Sequence, residues 1–175
     1  MEEFELTYLA KKELMSKLNG ISFKEMTDIY IPESSKHPNL RIRKSGEKYE
    51  ITKKTPVREG DASHQIETTI SLTLSEFNEL NLIKGKRVLK NRYLYQENNY
   101  TYEIDVFQGD LKGLVLVDVE FKSNEEKSNF IPPPWILKDV TQENFIAGGM
   151  LCGKNYDTIK EKLEEFKYEK INITN

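Results

Sequence analysis

Within the segments that read as strands, five pairs of like-charged residues stand two positions apart: Glu3 with Glu5, Arg41 with Arg43, Lys90 with Arg92, Glu103 with Asp105, and Asp118 with Glu120. Thr52 with Lys54, and Gln65 with Glu67, repeat the spacing with one neutral member. Carboxylates grouped in this way offer hard oxygen ligands to a divalent cation such as Mg²⁺. Arg offers a planar fork that matches phosphate oxygens, and Lys adds a point charge. The acids therefore suit metal cations and the bases suit a polyanion.

The elements that would position these pairs are strands. Residues i and i+2 of a strand point to the same face. Four of the five pairs enclose an apolar residue, namely Phe4, Ile42, Ile104 and Val119, which then faces the other way. Segments rich in β-branched and aromatic residues predict eight strands, at Glu2–Tyr8, Asp28–Ile31, Leu40–Lys44, Lys48–Lys54, His64–Ser71, Arg87–Gln96, Asn99–Phe107 and Leu114–Phe121. Turns are expected at Ser45-Gly46-Glu47 and Glu97-Asn98. Helices are expected at Ala10–Leu18, Leu74–Leu80 behind a Thr73 cap, Asn124–Phe130 before three prolines, and Asp157–Phe166. Two readings of the charged faces stay open on pattern alone. One is an ordinary half-buried sheet with its polar face in water. The other is a closed barrel of eight antiparallel strands whose charged faces line a lumen. A solvated face usually mixes signs, because like neighbours repel; pairs sorted by sign call for counter-charges from outside the chain.

The 175 residues suit one domain, taken as 1–175 with a C-terminal helix at about 156–168. The composition is 37% hydrophobic and 31% charged, with 26 basic and 29 acidic residues and a net charge of −3, which is no footprint for nucleic acid. Cys152 stands alone, so no internal disulfide can form, and it reads as a packing residue in a reducing compartment. The segment Met1–Lys12 lacks the apolar run of a signal peptide, and no stretch reaches the roughly 20 apolar residues of a membrane span. The expected location is the cytoplasm.

The motifs also resemble those of a known family. Glu3-Phe4-Glu5 is similar to the start of the ExExK signature of the CYTH, or triphosphate tunnel, metalloenzymes. Leu40-Arg41-Ile42-Arg43, Ile51-Thr52-Lys53-Lys54, Lys90-Asn91-Arg92-Tyr93, the run Tyr102–Gly109 and Val117-Asp118-Val119-Glu120-Phe121 follow in that family's order. Pro132-Pro133-Pro134-Trp135 and Asp139-Val140-Thr141 continue it, so the resemblance spans about Glu3 to Cys152. It implies a mainly β (α+β) fold, a closed eight-stranded antiparallel barrel with flanking helices, and a look closest to small bacterial inorganic tripolyphosphatases. It implies Arg41, Arg43, Lys54, Lys90 and Arg92 as substrate ligands. It implies Glu3, Glu5, Glu67, Asp105, Asp118 and Glu120 as ligands for Mg²⁺ or Mn²⁺, with Glu103 nearby. Glu5, Lys54 and Tyr30 are the implied catalytic residues. The expected partner is a small-molecule triphosphate, with a homodimer as an open alternative to a monomer and with neither nucleic acid nor membrane.

Three positions depart from the family pattern. Thr7 stands where the signature has lysine, Gln65 stands where a first acid precedes Glu67, and no base follows Val140-Thr141, where Lys138 or Lys154 could compensate. The alternatives to a tripolyphosphatase are therefore a class IV adenylate cyclase, a thiamine triphosphatase using Trp135, and a binding module for polyphosphate or a nucleotide without turnover.

Overall fold

The structure, a computed structural model, describes residues 2–172. The outermost positions of the 1–175 range, Met1 and 173–175, lie outside the described residues. The strands are β1 (Glu2–Ala10), β2 (Phe23–Ile31), β3 (Leu40–Ser45), β4 (Lys48–Pro56), β5 (His64–Leu72), β6 (Lys86–Glu97), β7 (Tyr100–Phe107), β8 (Val115–Phe121) and β9 (Ile136–Asp139). The helices are α1 (Leu14–Lys17), α2 (Leu74–Leu80), α3 (Asn124–Ser128), α4 (Gly148–Leu151) and α5 (Tyr156–Glu165).

Strands β1 to β8 close on themselves in the order β5-β4-β3-β2-β6-β7-β8-β1, and the ring is completed by β1 against β5. The closing pairs are Glu2 with Ile66, Glu3 with Gln65 and Phe4 with His64. Every neighbouring pair is antiparallel. The eight-stranded barrel read from the sequence is thus present, with one strand added. β9 pairs with the second half of β1, where a bulge falls between Leu9 and Ala10. Four residues behind three prolines carry too little alternation to announce a strand, and β9 forms because β1 offers it an edge.

The first expected helix is shorter than its pattern because Ala10 belongs to β1 and pairs with Ile136. The expected turn at Glu97-Asn98 shifts by one residue. Asn98 and Asn99 both take left-handed backbone, with φ of 52° and 65°, which suits a two-residue hairpin, and Asn bears that conformation at low cost. Helix ends follow their caps. The Thr73 side chain accepts from the Glu76 amide while Glu76 reaches back, a complete capping box for α2. Asn155 caps α5 through the Thr158 amide at 3.1 Å.

The apolar core lies outside the barrel wall. Leu9, Ile104, Val117 and Val119 are fully buried against a layer containing Trp135, Phe145, Leu151, Ile159 and Leu163. A smaller cluster of Ile29, Ile42 and Phe77 sits under α2. Burying each such side chain contributes about 1.5–3 kcal/mol. With the apolar faces committed outward, the polar residues of the same strands are left to fill the lumen.

Candidate active site

The lumen is built by cross-strand register. Glu5 opposes Glu120, and Thr7 opposes Asp118, across β1 and β8. Asp28 opposes Arg43 and Tyr30 opposes Arg41 across β2 and β3. Lys54 opposes Glu67 across β4 and β5, and Arg92 opposes Asp105 across β6 and β7. Residues in register share a face, so all the charged positions singled out in the sequence converge on one interior.

The acids gather at one place. Carboxylate oxygens of Glu3, Glu5 and Glu120 lie within 4.8 Å of one another. Among the described residues one ammonium ion-pairs this side: Lys54 Nζ is 2.7 Å from Glu3, 3.6 Å from Glu5 and 3.6 Å from Glu67. One cation shared by three carboxylates leaves the group short of positive charge. Lys54 approaches the buried Glu3 Oε2 at 2.7 Å, and among the described residues that oxygen has no further hydrogen-bond partner. Burial pushes the Glu5 carboxyl up to about 8, the Asp118 charge adds to this, and Lys54 opposes it. Burial, then Glu103 and Glu3, also raise Glu120. An all-oxygen donor set that resists ionisation fits a hard divalent cation, which would restore the charged form.

The bases hold the other side. Arg92 donates to Asp105 from Nε and Nη2, each at 2.6 Å, and also bonds Glu103; Asp118 is 3.5 Å away. Lys90 bonds Asp105 as well. Burial pushes the Lys90 amine down, and Asp105 offsets this only in part because Arg92 and Arg43 add to it. Arg43 clasps Asp28 with Nε at 2.6 Å and Nη2 at 2.8 Å. Arg41 Nε is buried without a hydrogen bond, 3.9 Å from Asp28. Tyr30 is buried, and burial followed by the Asp28 charge raises its phenol. Its ring abuts Gly148 at the start of α4.

Not every sorted charge waits for a counter-charge from outside the chain. Within the barrel, acid–base pairs across strands already neutralise Arg43, Arg92 and Lys90. Among the described residues the charge least compensated within the barrel is in the Glu3–Glu5–Glu120 group and at the open Arg41 Nε donor. Asp105 sits with the bases and is held well below the usual carboxylate range: burial works against this, but Arg92 and Lys90 outweigh it. Asp105, Glu67 and Asp118 are not among the acids grouped within 4.8 Å, although Glu67 shares Lys54 with that group and the Asp118 charge bears on Glu5; Asp118 accepts from Thr7 Oγ1 at 2.8 Å. The threonine at position 7 thus supplies a hydrogen bond where the family pattern supplies charge. Gln65 donates to Ala62 O at 2.8 Å and ties down a loop. Lys138 lines an outer groove with Leu6, Tyr8 and the three prolines. Trp135 is packed against Tyr95 and Tyr102, and its indole reaches Glu97 at 3.3 Å. Cys152 is buried.

Asp28 is the residue that motif reasoning missed. Its signal was an acid two residues before Tyr30, which places the two on one strand face, the face that Arg43 and Arg41 share.

The chain is 33% identical over 145 residues to an inorganic triphosphatase of Nitrosomonas europaea, a match covering 82% of this chain and 91% of that protein. This chain belongs to the inorganic triphosphatase family. A second inorganic triphosphatase, from Acetivibrio thermocellus, is 29% identical over 128 residues, 72% of this chain and 79% of the relative. The crystal structure of the inorganic triphosphatase NE1496 matches with a TM-score of 0.58 at 27% identity, over 86% of this chain and 93% of that one. No family model matches the chain. Family membership thus rests on a likeness of sequence, and the barrel on a likeness of backbone.

Proposed function

We propose that this chain is a triphosphate tunnel enzyme of the CYTH kind, which hydrolyses the terminal phosphoanhydride bond of a small triphosphate with the help of Mg²⁺ or Mn²⁺. The observation that carries this is the grouping of Glu3, Glu5 and Glu120 in the same lumen as Arg41, Arg43, Lys54, Lys90 and Arg92. The inorganic triphosphatase relatives support the reaction class.

In this reading Arg41, Arg43, Lys90 and Arg92 bind phosphoryl oxygens and hold the chain of phosphates in line, so that little orientation remains to be found in the transition state. Lys54 sits between the acidic and basic sides, where it can neutralise charge that develops on the transferred phosphoryl group. Glu3, Glu5 and Glu120 would hold the cation, with Asp118 and Glu67 adjoining. When bound, the cation supplies charge neutralisation at the leaving oxygens and a more acidic water. Glu5 would serve in its ionised form once the cation displaces the proton that it otherwise keeps up to about 8. Tyr30 orients Arg41, its register partner. Cys152, His37 and His64 take no part.

A single domain and a cytoplasmic location belong to the same proposal. One continuous sheet and one buried free cysteine support them; among the described residues no helix is long and apolar enough to cross a membrane. The deciding assay is phosphate release from tripolyphosphate, ATP and thiamine triphosphate with Mg²⁺, Mn²⁺ or chelator. Metal-dependent release, fastest with tripolyphosphate, is expected. Failure to release phosphate from any of them, with tripolyphosphate still raising the melting temperature, would overturn the hydrolase reading in favour of a binding module.

A further inference from the structure

We propose that Asp28 is a positioning residue of this site, acting through Arg43 to set the direction and spacing of the basic cluster; this rests on the reading of the lumen given above. Asp28 is 1% exposed and stands at the Cα register partner of Arg43. Both of its carboxylate oxygens are used by one guanidinium, Oδ1 by Nε at 2.6 Å and Oδ2 by Nη2 at 2.8 Å. A side-on clasp of this kind fixes the plane of the fork and leaves Nη1 outside the pair.

The same carboxylate is the hub for two further cations. Arg41 Nε lies 3.9 Å from Oδ1, and Lys90 Nζ lies 4.0 Å from Oδ2. Three positive groups from two strands therefore surround one buried anion. Without it, Arg41 and Arg43 would be uncompensated like charges on one strand face, and each would move away from the other. Burial by itself would push the Asp28 carboxyl up, but Arg43 and Arg41 hold it well below the usual range, so it is an anion at every working pH. Arg43 is itself nearly buried, yet its partner Arg41 keeps an unused donor. The unused donor is Arg41 Nε, which faces Asp28 Oδ1 at 3.9 Å, so Asp28 attracts Arg41 without holding it in a hydrogen bond while it clasps Arg43 with both oxygens.

The test is a double-mutant cycle on tripolyphosphate hydrolysis with Mg²⁺, using wild type, Asp28→Asn, Arg43→Lys and the double variant, each checked by thermal melting. Asp28→Asn keeps the shape and removes the charge; Arg43→Lys keeps the charge and removes the fork. Each single change is expected to lower kcat/KM by about tenfold or more, and the double variant to be no worse than Arg43→Lys, a coupling of about tenfold. The loss in Asp28→Asn is expected mainly in kcat, because removing an anion leaves ground-state attraction for a polyanion intact. Additive losses, or wild-type kinetics in Asp28→Asn, would overturn the proposal while leaving the hydrolase reading in place. A wild-type protein without metal-dependent turnover would overturn both. Should Asp28→Asn lose its cooperative melt, Asp28→Glu, which keeps the charge and displaces the clasp, is measured in its place against the same criterion.

Discussion

Glu5 and Glu120 face each other across β1 and β8 as register partners, two acids where a sheet ordinarily places opposite charges. With Glu3 they bring carboxylate oxygens within 4.8 Å. The Glu5 carboxyl, pushed up from 4.5 to about 8 by burial and by Asp118, binds its proton more tightly in the folded state than in the unfolded one. Its contribution to stability is therefore complete below about pH 4.5 and is lost as pH rises through about 8. The expected outcome is a melting temperature in chelator that falls between pH 5.5 and 8. Added Mg²⁺ or Mn²⁺ should raise it more at pH 8 than at pH 5.5, since the metal must displace that proton. Equal metal increments at both pH values would show that the grouped acids do not take the ion.

Glu120 has no ion pair among the described residues, so neutralising it removes repulsion and little else. Glu120→Gln should leave the metal-free melting temperature unchanged or raise it by about 1–3 °C. The same change should lower metal-dependent turnover by about a hundredfold. A melting temperature that drops by several degrees would show Glu120 to be a structural acid.

Thr7 Oγ1 donates to Asp118 Oδ1 at 2.8 Å, and their backbones are in register. A lysine at this position would replace a neutral bond to a buried acid by an ion pair and would bring one more positive charge into the lumen. Thr7→Lys is expected to lower KM for tripolyphosphate by about threefold to tenfold. An increase in KM would mean that the amine is held by Asp118 and withheld from substrate.

The hydroxyl of Tyr30 occupies the space that a side chain on Gly148 would need. A Cβ built there falls inside contact distance of the hydroxyl oxygen and 2.9 Å from Cζ. Gly148→Ala should therefore destabilise by about 1–3 kcal/mol. Adding Tyr30→Phe, which removes the oxygen, should recover part of that loss. Denaturant melts of the two single variants and the double variant measure it; strict additivity would show that the two residues do not touch.

What the sequence determined by itself was local. Covalent geometry makes every strand pleat with period two, so Glu3 and Glu5, or Arg41 and Arg43, had to share a face wherever the strand went. Alternation with Phe4, Ile42, Ile104 and Val119 told which face was charged, and the caps at Thr73 and Asn155 placed α2 and α5. Partner choice belongs to the tertiary structure. Thr7 and Asp118 are 111 positions apart, and nothing in either segment states that they meet. Three outcomes depended on such pairings: the convergence of Glu120 on Glu3 and Glu5, the transfer of Asp105 to the bases, and the seat of Asp28 beneath Arg43. β9 also waited on the fold, since its four residues become a strand only when β1 presents an edge. Pleat direction costs nothing beyond the backbone, whereas register is decided by which apolar faces can be buried together. The residue types of the site were therefore legible in the chain, and its electrostatics were not.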